Sequence, residues 1–458
     1  MDVMQSARES YSHRNSTKLS HIPGEYGIPI IGKTAGIVTD PYGLFKEYYE
    51  KYGPVSRISL TLSKGLLALG PEITKEILLD NNRNYSTYMG YKFALGDLFA
   101  GGLLMRDFDE HRFHRRIMQT AFKNHALQGY IYTINSVLQQ HSGRWSTSNK
   151  FYMYPALKAM TLNIAARVFI STDVGRDTNQ LITAFVELLD SVMSVVRVDF
   201  PGLLYHKGMN ARRFLAQYFK DLTPDKRHND DSDIMSYLCK EHDENGEFFS
   251  DEAIAEHLIF LMLAAHDTTT SALINTFYFL AAYPEWQTRV REEVKSLHKG
   301  FLNYEELDEL DILENIFKET TRLFPPAINF MRRTVRECEL GGYEIPANTV
   351  ITLSPVFTQR MEEWWTDPLK FDPDRFAAPR EEHKRHPFSW FPFGGGAHKC
   401  IGMHFASMLY KCIIFHVIQK YQFSLPDGYP MPTDNSNFMW VPMPKPKDNL
   451  PLILHRIQ

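Results

Sequence analysis

Ten residues near the C-terminal end, FGGGAHKCIG from Phe393 to Gly402, constrain this chain more than any other stretch. Gly394, Gly395 and Gly396 lead to Cys400, and Gly402 follows it, so the backbone can take left-handed conformations and come close to a flat partner. Beyond it, Met403 to Gln419 is apolar at helical spacing. Cys400 therefore falls just ahead of a helix N-terminus, where the positive end of the dipole favours a thiolate. This is a setting for a metal ligand beneath a planar group; the plainer alternative is a buried structural cysteine in a glycine-rich turn.

The pattern Phe393, Gly396, His398, Cys400, Gly402 resembles the haem-binding signature of the cytochrome P-450 monooxygenases, and its string is nearest to the sterol demethylase and retinoid hydroxylase branch. The resemblance implies a mainly α fold with small β-sheets and haem b held between a long central helix and the helix after the cysteine loop. Cys400 becomes the iron ligand, with Phe393 against its sulfur and Gly394, Gly402 and Ala406 beside the porphyrin. A thiolate pushes electron density onto haem iron and favours O–O cleavage.

A chain of 458 residues, 44% of them hydrophobic, can bury a large core, and the dispersal of its motifs argues for one domain over 22–458 behind a flexible segment, 1–21. A formal net charge of -4 gives no bulk reason to bind nucleic acid. Cys239, Cys338, Cys400 and Cys412 show no CxxC spacing, which fits a reducing cytoplasm and excludes a disulfide framework. The polar N-terminus has neither a signal peptide's apolar run nor a membrane anchor, so a soluble, monomeric protein is expected.

Along the chain, Asp40, Pro41 and Gly53 bracket a predicted helix, Val55 to Leu60 and Leu66 to Leu69 read as paired strands, and Pro71 opens a helix to about Asp80. Tyr85 to Arg106 is aromatic and glycine-dotted without a period, and reads as an irregular apolar loop. His111 and Arg115 lie four apart on one face of a predicted helix. Helices are expected from about Gln128 to Tyr218, broken at Val198 to Gly208 by either a packing hairpin or the lip of an access channel. Thr223 to Asp251 reads as a charged surface segment.

Asp251 to Ala282 reads as one long helix, apolar nearly all round, with AAHDTTTS in its middle. A carboxylate and threonines inside a buried helix cost stability unless used or satisfied, and threonines bonding back to helix carbonyls are the bland alternative. By resemblance, Asp267 and Thr268 form the acid–alcohol pair that delivers protons during oxygen activation, with Ala264 and Ala265 beside the haem; Ala265 stands where relatives usually carry glycine. His266 is expected to pack or hydrogen-bond. Glu319 and Arg322, three apart on a helix and followed by LFPP and FDPDRF, resemble the family's buried triad with Arg375, a structural device.

The resemblance also assigns His111, Arg115, His398 and Arg332 to the haem propionates, with Arg333 as the alternative register for the last. It makes Tyr85 to Arg106 the loop over the substrate, through Tyr88, Phe93, Leu98 and Phe99. Phe260, Leu263 and Ala264 join them from the central helix, Ile328 and Phe330 from the strand after LFPP, and Met439 and Trp440 from the C-terminal hairpin. The implied reaction inserts one atom of dioxygen into an apolar substrate: a steroid, terpenoid or fatty acid. No GxGxxG motif or iron–sulfur cysteine set is present, so NAD(P)H electrons are expected through a ferredoxin and its reductase, docking near Lys399, Lys411, Arg112 and Arg116. A peroxide-driven peroxygenase, or a haem-binding sensor without catalysis, are the alternatives.

Overall fold

Local signals fold much of the N-terminal third. Asp40 accepts a hydrogen bond from the Gly43 N–H (3.1 Å), Pro41 starts the helix Pro41–Tyr52, and Gly53, at φ 83°, stops it. The strands Val55–Leu60 and Ser63–Ala68 pair antiparallel, and Pro71 opens the helix Pro71–Leu79. These details come from a computed structural model that describes residues 19–457, apart from 61–62, 143–144, 146, 148–149, 172–175, 230, 243–245 and 435–436. The flexible segment expected over 1–21 lies outside the described residues as far as 18; Leu19 is buried in the core.

The two strands belong to a five-stranded sheet completed by Val350–Leu353, Phe330–Thr334 and Tyr85–Ser86, in that order, parallel only between Ser63–Ala68 and Val350–Leu353. A smaller apolar core, including Ile22, Leu66, Leu78, Leu353 and Phe388, covers this sheet. The main core is helical. Its axis is Asp251–Ala282, capped by Ser250 and packed against the helices Met153–Ile170, Leu204–His228, Asp311–Leu323 and Met403–Ile418. Thr276 Oγ1 lies 2.9 Å from the Tyr410 hydroxyl, tying the axis to the helix that follows Cys400.

Two sequence expectations fail for the same reason. Tyr85 to Arg106 is no irregular loop: Thr87–Leu95 is a helix, capped by Ser86 and by Asp107, which accepts from the Thr87 N–H (2.8 Å) across a long sequence gap. Thr223 to Asp251 is no surface segment. The helix Leu204–His228 runs through Pro224, the helix Ile234–Lys240 buries Ile234, Met235 and Leu238, and buried Lys226 reaches Asp231 (2.7 Å) and Asp233. In both places the stabilising partner is distant in sequence or hidden among charges.

The helix Phe108–Met118 is clasped to the central helix by two buried imidazoles, His114 Nδ1 and His257 Nε2, 2.8 Å apart. One must donate and the other accept, and burial, which pushes His114 down to about 3 and His257 well below its ordinary value, keeps both neutral.

Candidate active site

The loop before Cys400 needs its glycines. Gly394 and Gly396 have φ of 68° and 62°, and a Cβ on Gly396 would strike the Leu78 carbonyl oxygen at 1.8 Å. That turn lets the Cys400 N–H donate to the Phe393 carbonyl (2.9 Å), while the Phe393 ring packs on Phe317 and Trp390. Gly402 differs: its φ is -89°, and a Cβ would meet only the Phe122 ring at 3.7 Å. Nothing in the protein demands a glycine there; a close flat neighbour would.

Cys400 has an accessible side chain although it lies deep within the fold, so it faces an internal cleft. Burial pushes its thiol up, against the Gly402 N–H, Arg115 and Lys399, which pull it down. The central helix shows a matching stripe. Phe260, Leu263, Ala264, Asp267 and Thr268 are half-buried where most of the helix is buried, and their spacing puts them on one face. The helix is unbroken there, with Ala265 also half-buried, and the Thr268 hydroxyl donates to the Ala264 carbonyl (2.6 Å). Its oxygen can still accept a hydrogen bond.

Asp267 turns toward base. Its Oδ1 is 2.8 Å from Nδ1 of His266, the residue expected from sequence to pack or hydrogen-bond. Burial raises the carboxyl, but His266, Lys158 and Lys445 outweigh it and hold Asp267 below its ordinary value. Lys445 in turn sits over the Tyr154 ring at 3.8 Å. His266 is Asp267's neighbour on the same helix, but Lys158 and Lys445 come from two elements remote in sequence, and no local pattern could have announced them.

Beside the cysteine loop the fold gathers cationic side chains. His111 stacks on His398 with centroids 3.9 Å apart, and Arg332 and Arg115 are close enough to depress both imidazoles. Burial is the larger cause, and brings His111 to about 4. Arg332 points to this cluster, whereas Arg333 points away and donates to the Asn348 carbonyl (3.2 Å). Asp107 lies 3.6 Å from His398 but is already occupied by the Ser86 hydroxyl and the Thr87 N–H, and Asp80, near Arg332, by the Asn84 and Tyr85 N–H groups. Burial raises Asp107, which weakens it as a counter-ion. Arg115 has no ion pair among the described residues. An anionic group fits this corner, and a flat, dianionic haem seated on Cys400 fits the whole cleft.

Several residues assigned to the substrate side lie elsewhere. Leu98, Phe99 and Trp440 have no accessible surface; Phe99 meets Phe260 edge-on, and Trp440 packs on Phe324 and Phe438. They back the lining and do not form it. Phe330 points to the cysteine loop, against Phe391 and Gly394, because its strand alternates and Arg332 shares its face. Phe93 faces outward, 54% exposed. Tyr88 lies under Lys92, Ile328 is buried, and Met439 is half-buried. Lys411 is not a docking cation: it is buried, bonded to the Leu307 carbonyl (2.8 Å) and Glu314 (3.1 Å). Lys399, Arg112 and Arg116 are exposed.

Glu319, Arg322 and Arg375 form a fully buried cluster, with Glu319 2.6 Å from Arg322 and 3.1 Å from Arg375. Sequence reasoning missed its fourth member, Glu382, 3.0 Å from Arg375. A groove of about 860 Å³ between the helix Pro71–Leu79 and Arg336 to Glu339 shares no residue with this site.

A cysteine at the head of a core helix, a threonine–aspartate pair on the facing helix and a cationic corner between them define a haem-thiolate protein. The chain belongs to the cytochrome P450 family, whose family model matches residues 22–451. It is 38% identical to "Putative cytochrome P450 136" of Mycobacterium tuberculosis, over 95% of this chain and 89% of that one. It is 29% identical to "Pentalenene oxygenase" of Streptomyces avermitilis, over 83% and 86%. The solved structure "Retinoic acid bound cyanobacterial CYP120A1" superposes with a TM-score of 0.85 at 25% identity, covering 95% of this chain and 99% of that chain. The protein is accordingly a monooxygenase that carries haem b and takes its electrons from redox partners.

Proposed function

We propose that this monooxygenase hydroxylates a terpenoid, steroid or fatty acid, with NAD(P)H electrons arriving through a ferredoxin and its reductase. The observation that carries the reading is the half-buried stripe of the central helix, apolar at Phe260, Leu263 and Ala264 and polar only at Asp267 and Thr268. An apolar molecule lies against the first part and the proton-handling pair follows directly. The named relatives, an oxygenase of pentalenene and a retinoic acid-bound structure, support a hydrophobic substrate. Exposed Lys399, Arg112 and Arg116, close in sequence to the cysteine loop and the cationic corner, suit an acidic ferredoxin. Four free cysteines suit a cytoplasmic location.

Haem, bound through Cys400, supplies the oxygen chemistry. The chain supplies the rest. Arg115, Arg332, His111 and His398 hold the propionates, the buried residues around the stripe exclude water, and Thr268 accepts a hydrogen bond beside the reacting position. Asp267, kept ionised by His266, Lys158 and Lys445, takes a proton from the solvent side and passes it toward the Thr268 hydroxyl.

The test is spectral and then catalytic. The reduced carbon monoxide complex should show the thiolate band, lost in Cys400→Ser and kept in Cys412→Ser. Terpenoids, steroids and fatty acids should shift the Soret band and be hydroxylated with a ferredoxin system. Product formed only with peroxide would replace this reading by a peroxygenase, and no product with either by a haem-binding sensor.

A further inference from the structure

Asp267, Ser271 and Asn275 recur at four-residue spacing and so share one face of the central helix. What covers that face comes from the far end of the chain. The Ser271 hydroxyl (2.7 Å) and the Asn275 amide (2.9 Å) both donate to the Pro444 carbonyl, which pins a two-stranded hairpin, Phe438–Met439 paired with Lys445–Pro446, to the helix. The residue after that carbonyl is Lys445. Half-buried there, its ammonium lies over the Tyr154 ring, 3.8 Å from the centroid. Tyr154 and Lys158 stand one turn apart on the helix Met153–Ile170, and the Lys158 carbonyl is 3.3 Å from His266 Nε2. Three elements thus close on one carboxylate. Asp267 is faced by His266 from its own helix, by Lys158 and Tyr154 from Met153–Ile170 and by Lys445 from the hairpin, while Asp190, near the end of the helix Arg176–Ser191, faces Tyr154.

We propose that Lys445 is a positioning residue for proton delivery: the C-terminal hairpin brings it to Asp267 and so sets how tightly that carboxylate holds the proton it passes on. The role rests on the reading of Asp267 as the proton-handling acid, and it is one of field and not of contact. Among the described residues the one ion-pair contact of Asp267 is His266 Nδ1, and both lysines act on it from farther off. An ion pair built for stability would bring an ammonium onto the carboxylate oxygens. Here the Tyr154 ring holds the ammonium beside them, which leaves an oxygen free to take a proton. Burial, then Lys158, lowers the Lys445 ammonium, and Asp267 pulls it back up. No bond is made or broken at Lys445: the proton passes from water to the Asp267 carboxylate and on toward the Thr268 hydroxyl, and the lysine stays an ammonium. Without that charge the burial that raises Asp267 meets less opposition, the carboxyl keeps its proton to higher pH, and handing it on slows.

The experiment uses the full-length holoprotein and three variants, Lys445→Met, Lys445→Arg and Asp267→Asn. Lys445→Met keeps an apolar stem over Tyr154 and removes only the charge. Haem content, the thiolate band of the carbon monoxide complex and the Soret shift on substrate binding should match the parent. In infrared difference spectra of the ferrous carbon monoxide complex taken against pH, the carboxyl band missing from Asp267→Asn should appear at higher pH in Lys445→Met than in the parent. Product per electron should fall several-fold in Lys445→Met, with its acid limb moved to higher pH, and Lys445→Arg should restore both. An Asp267 band that titrates as in the parent, or coupling unchanged in Lys445→Met while Asp267→Asn uncouples, overturns this role and leaves the relay through Asp267 standing. Haem loss in Lys445→Met and Lys445→Arg alike makes the lysine a structural element and overturns it too. Coupling unchanged in Asp267→Asn itself brings down the relay, and with it the role of Lys445.

Discussion

Two buried clusters in this protein are rich in arginine, and they differ in whether the chain supplies the counter-charge. Around Glu319, the carboxylates of Glu319 and Glu382 face the guanidiniums of Arg322 and Arg375, with Arg380 also on Glu382 from the surface side, and the remaining donors reach backbone carbonyls: Arg322 bonds those of Gln359 and Pro368, and Arg375 that of Thr366. Around His111, two arginines and two imidazoles meet two carboxyls that burial destabilises, Asp107, already committed to Ser86 and Thr87, and Asp80 beside Arg332, raised to about 6. Buried charge that is internally balanced holds a fold; buried charge left unbalanced is a place for something brought from outside.

The largest expected effect tests the balanced side. Glu319→Ala leaves Arg322 buried without a carboxylate and Arg375 with Glu382 alone, at a cost of about 3–5 kcal/mol, and should yield little folded holoprotein. Normal expression and haem content would erase the distinction between the clusters.

On the unbalanced side, Arg332→Ala should fold, and the apoprotein should be at least as stable as the parent, because removing an uncompensated cation relieves it. Transfer of haem to apomyoglobin should become about tenfold faster, the equivalent of a charged hydrogen bond worth ~1.5 kcal/mol. Unchanged transfer, or a destabilised apoprotein, would move Arg332 into the structural class.

Thr268→Ala leaves both clusters intact and should retain haem and substrate-induced spectral shifts. Product per electron should fall several-fold as hydrogen peroxide rises, since the hydroxyl that hands on the proton is gone. Coupling equal to the parent in both Thr268→Ala and Asp267→Asn would send the proton by another route.

The smallest effect concerns pH. His114 remains neutral in the folded protein down to about 3, whereas an unfolded chain protonates it near its ordinary 6.5. The unfolded state therefore binds more protons below pH 6.5, and stability falls from there toward about pH 3. His114→Gln should flatten that slope, measured as urea midpoints at pH 7.5 and 5. An unchanged slope would place the acid sensitivity in the His111–His398 stack.

How much could be read from residues alone follows the range of the interactions. Elements capped by their own neighbours, such as Pro41–Tyr52 between Asp40 and Gly53, were legible, and so was Asp251–Ala282, whose continuous apolar character admits no other place than the core. Cys400 was legible because its glycines answer a local backbone demand. The helix Thr87–Leu95 was not, since Asp107 supplies part of its cap from beyond a long loop. Glu382 and Lys445 were equally hidden, each meaningful only through a partner remote in sequence. Periodicity offered Phe330, Phe93 and Trp440 as apolar residues but not the direction in which each faces. The sequence by itself determined the family, the glycine loop that carries Cys400 and the axis of the core, because these depend on motifs with fixed spacing. Only the tertiary structure decided which charges are balanced and which apolar side chains face water, because charge compensation and burial depend on every element that packs around a residue.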